Sequence, residues 1–409
     1  MKPLLPVAEA LQRLLDAAQP VSTVESIGLA AAADRVLAFD LKAQITQPPF
    51  NASAMDGYAL RAADATAIGS ELTVIGTASA GHAFGGEVGA RETVRIFTGA
   101  PVPEGADSVL IQEDAEVLDD NRIRTAFNVT QGRHIRPRGQ DFIRGETVLD
   151  ADTRLTFADL TVAAAMNHAE LVVYRKPLVA VLATGDELVP PGGEPQVAQI
   201  IASNTFGVAA LARRAGADIL DLGIVQDDDR LIRAAIGKAI AAKADVLVTL
   251  GGASVGDHDL VQAALKAEGM ALDFWRIAMR PGKPLMVGNI GPMQVLGLPG
   301  NPVASLVCSL LFLEPLIHTL GHQAPRAREI TVRTATALKA NDVRQDYLRA
   351  RFIGEEDGKP IAEAFTKQDS SMMKIMAKSD CLIIRPPHAP ELPAGADCKA
   401  IRLRDLPPA

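Results

Sequence analysis

VLVTLGGASVGDHDLVQAALKAEG (Val246–Gly269) decides the fold. Val246–Leu250 is a short apolar, β-branched run that reads as a buried strand. Glycines follow, and DHDLVQAALKAEG then carries a helical pattern. The same strand, glycine turn and helix recur at MQVLGLPGNPVAS (Met293–Ser305). Glycine there lets the backbone approach a ligand closely, and amides at a helix start point at an anion. Asp257, His258 and Asp259 lie in the first loop, and amides beside carboxylates suit a phosphate held with a divalent metal.

Working outward, the rhythm persists. KPLVAVLA is a strand and SNTFGVAALARRAGA a helix; DILDLGIV is a strand and DDDRLIRAAIGKAIAAK a helix; DFWRIAM is a strand and NPVASLVCSLLFLEPLIHTLG a helix. Such alternation predicts a parallel sheet with helices on both faces and ligands at the carboxyl ends of the strands. TGDEL (Thr184–Leu188) falls at that same edge. Upstream, residues 6–19 read as an amphipathic helix with Val7, Leu11, Leu14 and Leu15 on one stripe. After Gln47-Pro48-Pro49-Phe50 come short strands separated by turns: ELTVIGTA, TVRIFTG, SVLIQED and RIRTAF. TFADLTVAAAMNH returns to helix, and the chain from Pro325 is again rich in strands and turns. The expected architecture is multidomain α/β plus β. Residues 1–46 and 139–176 form an N-terminal linker domain of helix and strand, and residues 47–138 an inserted small β domain. Residues 177–325 form a three-layer α/β/α domain with a parallel-type sheet, and residues 326–409 a C-terminal β domain.

Composition narrows the function. At 48% hydrophobic and 22% charged, the 409 residues build packed domains. Aromatics at 4% argue against stacking platforms for single strands, and a net charge of −8 argues against nucleic-acid binding. Cys308, Cys381 and Cys398 form no CxxC pair, so neither a zinc site nor a disulfide framework is expected. Glu9, Gln12, Arg13 and Asp16 interrupt any signal-peptide core. The longest apolar run, Val303 to Ile317, contains Ser305, Ser309, Glu314 and Pro315 and reads as too short and too polar to span a bilayer. A cytoplasmic location without membrane contact is expected.

Each motif has two readings. GASVG (Gly252–Gly256) fits a hydrolase nucleophile elbow with Ser254 as nucleophile, but His318 and His322 sit in a helix tail rather than a late loop. A glycine-rich anion loop suits the flanking residues better. Asp257 and Asp259 are metal ligands or helix caps. Asp186 and Glu187 of TGDEL bind a ligand or cap the next element. Arg280 and Lys283 of MRPGKP neutralise an oxyanion or decorate a solvated turn. Arg133, Arg136, Arg138 and Arg144 form a local basic patch, either for an anionic small molecule or for surface salt bridges. Asp56, in NASAMDGYAL, lies in a loop from which it can reach a ligand.

Taken together, PPFNASAMDGYA, TGAPVPEGADSV, IRPRGQDF, TGDEL, GGASVGDHD, FWRIAMRPGKP and LGLPGNPV resemble, in order and along the whole chain, the molybdopterin molybdenumtransferase family. Its members include MoeA of bacteria and the gephyrin E domain of animals. The resemblance implies insertion of molybdenum from molybdate into adenylylated molybdopterin, with Mg²⁺-dependent release of AMP. It implies a homodimer whose α/β domain binds the pterin nucleotide and whose small β domain, carrying Asp56, closes the partner's site. Asp56, Asp141, Glu187, Asp227 and Asp259 become the acidic candidates, with Glu187, Asp227 and Asp259 as metal ligands. Thr184, Gly185, Gly251, Gly252, Ser254, Pro299, Gly300, Asn301 and Ser305 become substrate-binding loop residues. Arg276, Arg280 and Lys283 would face phosphate or molybdate, and Arg349 and Ser370 would hold the oxyanion. The chain departs from the family pattern at Asn51-Ala52, at Ala304, and at Asp369, where glycine is common. A molybdopterin adenylyltransferase and molybdoenzyme acceptors are implied partners. The rival readings are a molybdopterin adenylyltransferase, a non-catalytic dimeric scaffold and a Ser254 hydrolase.

Overall fold

The computed structural model describes residues 4–119, 121–251 and 260–404. They divide into two compact units, residues 26–173 and residues 1–25 with 174–409. In the larger unit, six strands form one sheet: β1 (Leu178–Thr184), β2 (Asp218–Val225), β3 (Val246–Leu250), β4 (Ala271–Trp275), β5 (Met286–Ile290) and β6 (Met293–Leu298). Their spatial order is β2-β1-β3-β6-β5-β4. Strands β2, β1, β3 and β6 are parallel. The sheet is parallel along these four strands, and at one edge β5 and β4 run antiparallel. Only Gly291 and Pro292 separate β5 from β6, and a two-residue connection can join only antiparallel neighbours.

The helices are α1 (Val7–Asp16), α2 (Asn204–Arg214), α3 (Asp229–Ala241), α4 (Leu260–Ala267) and α5 (Pro302–Leu320). Successive side chains of a strand point to opposite faces. Accordingly Val179 and Val181 of β1 enter the layer of α1, α2 and α5, with Leu14, Val208 and Phe312. Ala180 and Leu182 enter the layer of α3 and α4, with Ile232, Ile236, Val261 and Leu265. Each such aliphatic side chain, fully buried, contributes about 1.5–3 kcal/mol. Helix α5 is longer than its apolar run, because it continues through a π-turn at Ser309–Leu313. Its 19 residues are long and apolar enough to cross a membrane by length and composition, yet 78% of that window is buried inside the fold. Its hydrophobicity is that of a central core helix.

Beyond α5, strands Glu329–Thr334, Gln345–Glu356, Lys359–Ala364, Cys381–Arg385 and Asp397–Arg402 close into a ring. Closure occurs because Gln345–Glu356 pairs with both Lys359–Ala364 and Cys381–Arg385. Ala350, Ala362 and Ala400 keep the interior narrow enough to fill. The short strand Met279–Arg280, from the α/β part of the chain, adds in parallel to Gln345 and Asp346.

The smaller unit holds a six-stranded sheet in the order Ser108–Ile111, Gly57–Leu60, Glu92–Ile96, Glu71–Ala78, Arg122–Thr125, Ala115–Asp119. Helix Phe157–Ala165 opens on a capping box made by Thr156 and Asp159.

Candidate active site

A cavity of about 780 Å³ opens at the carboxyl ends of β1, β3 and β6, lined among others by Thr184, Glu187, Asn204, Gly251, Gly300 and Asn301. Its turns require glycine. Gly251 has φ +99°, and a Cβ there would lie 2.8 Å from the Thr184 carbonyl oxygen. Gly185 has φ +149°, and its Cβ would meet the Glu187 carboxylate. The N-termini of α2 and α5 both reach this cavity, and the Asn204 side-chain amide ties them by donating to the Gly300 carbonyl at 2.7 Å. Two helix starts concentrate positive potential at one place. A parallel ribbon, Leu188–Val189 with Ile200–Ile201, contributes Leu188, Ile200 and Ile201 to an apolar wall.

Among the described residues, the hydroxyls of Thr184, Thr249 and Ser305 are buried without a hydrogen-bond partner. Leaving such a group unpaired costs about 1–3 kcal/mol. Of the three, Thr184 lines the cavity.

Carboxylates gather at the same edge. The Asp227 amide donates to Asp186 Oδ1 at 3.1 Å. Burial pushes the Asp227 carboxyl above its ordinary range, and the Asp186 and Glu187 charges push it further. A cation would relieve that repulsion. Among the described residues no cluster of three ligating side chains stands ready-made. Magnesium needs only one or two carboxylates when substrate phosphates and waters complete its shell, so Glu187 and Asp227 fit it. Gly252, Ser254 and Asp259 lie outside the described residues.

The loop after Lys359–Ala364 docks on the start of α5. Ser370 receives a bond from the Asn301 side-chain amide at 3.0 Å, and its carbonyl accepts from the Val303 amide at 3.1 Å. Arg349 anchors this loop from below: its backbone exchanges bonds with the Gln368 side chain and accepts from the Phe365 amide. Its guanidinium is fully buried, 0% exposed, and none of its three nitrogens has a partner among the described residues. Burial holds its pKa below the usual arginine value, partly offset by the Asp369 charge. Asp369 itself accepts from the Ser371 amide and hydroxyl, which lowers its pKa.

The remaining candidates are distributed differently. Arg280 is ion-paired with Asp346 and Asp342, which occupy it structurally. Arg276 holds φ +98°, with its guanidinium over the Trp275 ring. Lys283 is exposed, and Pro299 lines the cavity. Asp56 and Asp141 belong to the smaller unit. Asp56 Oδ1 accepts from the Thr98 amide and hydroxyl, both at 2.7 Å, and these bonds lower its pKa. Asp141 lines a separate cleft with Arg136, Gln140 and the Gln47–Phe50 segment. Of the basic patch, Arg133 pairs with Asp114 and stacks on Phe127, while Arg138 donates to the Pro49 carbonyl. His318 Nδ1 accepts from the Arg326 amide, and His322 stacks on Tyr174 with its Nε2 against the Val21 carbonyl. Both rings are therefore engaged with neighbouring groups. Sequence reasoning passed over Asn204 and Ser371. The Ser203-Asn204 pair just before a helical run is a cap signal that marks a helix start beside the strand ends.

A three-layer α/β domain with a cavity at the carboxyl ends of its strands, joined to a small β barrel, defines the class. Family models cover nearly the whole chain: "MoeA N-terminal region (domain I and II)" matches residues 5–167, "Probable molybdopterin binding domain" residues 180–319, and "MoeA C-terminal region (domain IV)" residues 331–403. A molybdopterin molybdenumtransferase of Haemophilus influenzae is 34% identical, with 96% of this chain and 97% of that protein aligned. One from Bacillus subtilis is 32% identical over 98% and 94%. The crystal structure of a molybdopterin biosynthesis MoeA protein from Pyrococcus horikoshii superposes with TM-score 0.84 at 28% identity, covering 99% of this chain and all of the other. The chain belongs to the molybdopterin molybdenumtransferase (MoeA) family.

Proposed function

We propose that this protein transfers molybdenum from molybdate into adenylylated molybdopterin, releasing AMP. The observation that carries the reading is the buried, unpaired guanidinium of Arg349 beneath the Ser370 loop, which itself docks on the helix start lining the cavity. A dianion such as molybdate needs fixed donors in a dry place, and charge-assisted bonds of this kind are the strong ones. The apolar wall and the paired helix starts suit a pterin nucleotide with its phosphates at the amides. Glu187, Asp227 and Asp259 would hold Mg²⁺, which when bound supplies charge screening of the phosphoanhydride. The unpaired hydroxyls of Thr184 and Ser305 would orient the substrate, and Lys283 would meet its negative charge. Asp56, fixed by Thr98, would act from the partner subunit of a homodimer. A cytoplasmic location accords with this chemistry.

The test supplies adenylylated molybdopterin, Mg²⁺ and molybdate and follows AMP. Molybdate-dependent release supports the reading. Pyrophosphate release from ATP and molybdopterin would favour the adenylyltransferase instead, and inactivity with both would favour a scaffold. Relatives that match along their whole length, rather than over the α/β domain alone, favour the transferase.

A further inference from the structure

Two neighbouring serines, in the loop after Lys359–Ala364, have opposite hydrogen-bonding senses. Ser370 Oγ accepts from the Asn301 side-chain amide at 3.0 Å. A hydroxyl has one proton and two lone pairs, so Ser370 keeps its proton for a ligand oxygen. Ser371 is arranged the other way. Its Oγ lies 2.6 Å from Asp369 Oδ1, and its backbone amide donates to the same oxygen at 2.8 Å. These bonds hold the Asp369 carboxyl below its ordinary pKa, and the Arg349 charge lowers it further. An ionised carboxylate only accepts, so the Ser371 hydroxyl must be the donor between them. Its one proton is thereby committed, and toward a ligand it offers lone pairs alone.

Bonds from an Asp to the residue two positions on also make an ordinary turn. Here the turn has a chemical consequence, because Ser371 lines the cavity at the carboxyl ends of β1, β3 and β6. Its carbonyl accepts from the Met373 amide at 3.0 Å, and Met373 Sδ accepts from the Ser203 hydroxyl at 3.5 Å, which joins the loop to the start of α2. The next residue, Asn204, lines the same cavity. Its side-chain nitrogen donates to the Gly300 carbonyl at 2.7 Å, and a carbonyl partner fixes which way round the amide sits. The Asn204 side-chain oxygen is thus a second acceptor, met among the described residues only by the Ser203 hydroxyl at a long 3.5 Å. Phosphate and molybdate oxygens only accept, so lone pairs on Ser371 and the charge on Asp369 disfavour them at this wall. Such a wall suits N–H groups. The aminopyrimidinone edge of a pterin presents an amino group beside a ring N–H, and adenine presents an amino group.

We propose that Ser371, its proton held by Asp369, is a specificity-determining residue that accepts a hydrogen bond from an N–H of the substrate's heterocycle, while Ser370 beside it donates to the oxyanion. Asn204 supplies a second acceptor. The inference rests on the transferase reading of this cavity and adds which end of the substrate each serine meets.

The experiment titrates the full-length protein with adenylylated molybdopterin by calorimetry, without molybdate and with Mg²⁺ chelated so that no turnover occurs. Ser371→Ala changes an exposed loop side chain and is expected to fold. Losing one neutral hydrogen bond should weaken this binding roughly 3- to 10-fold. The same variant should leave the molybdate concentration for half-maximal AMP release close to that of the wild type. Ser370→Ala should do the reverse, raising the molybdate half-saturation and keeping the nucleotide binding. In an Asp369→Ala background Ser371→Ala should cost less binding than in the wild type, because the freed hydroxyl no longer presents lone pairs alone. That comparison cancels the charge that Asp369→Ala removes. Free pterin and AMP, titrated separately, identify the donor: a Ser371→Ala loss seen with pterin gives the pterin edge, and one seen with AMP gives the adenine amine. No Ser371→Ala loss with any of the three ligands, a raised molybdate half-saturation in that variant, or an equal cost in both backgrounds would overturn the proposal. Absence of molybdate-dependent AMP release in the wild type would instead remove the transferase reading, and the binding titrations would still decide the role of Ser371.

Discussion

Arg349→Met separates what a residue does for a ligand from what it costs the fold. The wild-type side chain is fully buried, with no partner on any guanidinium nitrogen among the described residues. Replacing a poorly compensated buried charge with an apolar group of similar volume stabilises a fold by about 1–4 kcal/mol. Ligand-free Arg349→Met should therefore melt several degrees above wild type. Arginine remains charged at neutral pH despite its lowered pKa, so the wild type keeps its cation for the oxyanion. Losing one charge-assisted bond of about 1.5–3 kcal/mol should raise the molybdate concentration for half-maximal AMP release roughly 10- to 150-fold. Binding of the adenylylated pterin should change much less. The paired assays are calorimetric melting with and without molybdate, and AMP release against molybdate concentration. At one molybdate concentration the wild-type melting temperature should rise more than that of the variant. A variant that melts lower than wild type and keeps its molybdate half-saturation would refute the reasoning and make Arg349 a structural residue.

Chelation of Mg²⁺ should abolish AMP release and restoring it should recover the rate; chelator-insensitive release would remove Glu187 and Asp227 from a metal role. Asp227→Asn tests the repulsion directly. A carboxyl whose folded pKa is raised destabilises the fold above that pKa and is relieved as pH falls through it. The variant should melt higher than wild type at pH 7, with the gain fading towards about pH 4, and its Mg²⁺ requirement should rise. Asp56→Asn should cut turnover severely with a melting temperature close to wild type, because the amide oxygen can still accept from Thr98. Mixing that variant with Asp259→Asn should recover part of the activity through heterodimers, and no recovery after verified subunit exchange would place each site within one chain.

The strands of the α/β domain were legible because short β-branched runs bounded by Gly, Pro and Asp have few other uses. Asp218–Val225, Val246–Leu250 and Met293–Leu298 are all of this type. Strand β5 was not legible. Gly288 and Asn289 break its apolar run, and Gly288 is there because a Cβ would lie 2.4 Å from the Ala271 carbonyl oxygen across the pairing. Local pattern cannot show that neighbour. The cavity's turn residues Thr184, Gly251, Gly300 and Asn301 could be read because glycine and Asn mark turns wherever they stand. The side-chain economy could not: Asp346 lies 66 residues after Arg280, and no spacing rule predicts that it occupies the guanidinium. Nor does composition reveal that Arg349 is buried without a partner.

The loan of Met279–Arg280 to the barrel has a consequence for anyone dividing this chain. Residue 325 looks like a natural place to cut, since a helix ends before it and a closed ring follows. Yet Asp346 pairs with Arg385 on one side, and Gln345 and Asp346 pair on the other with two residues encoded far upstream. An excised barrel would carry a bare stretch of edge backbone and an Asp346 without its arginine, an invitation to pair with another copy. The matching fragment ending at 325 would leave the buried Met279 without Gln345, its strand partner. Gene fragments meant to yield either piece as a well-behaved protein should therefore graft the Met279–Arg280 segment onto the barrel, or keep the chain whole.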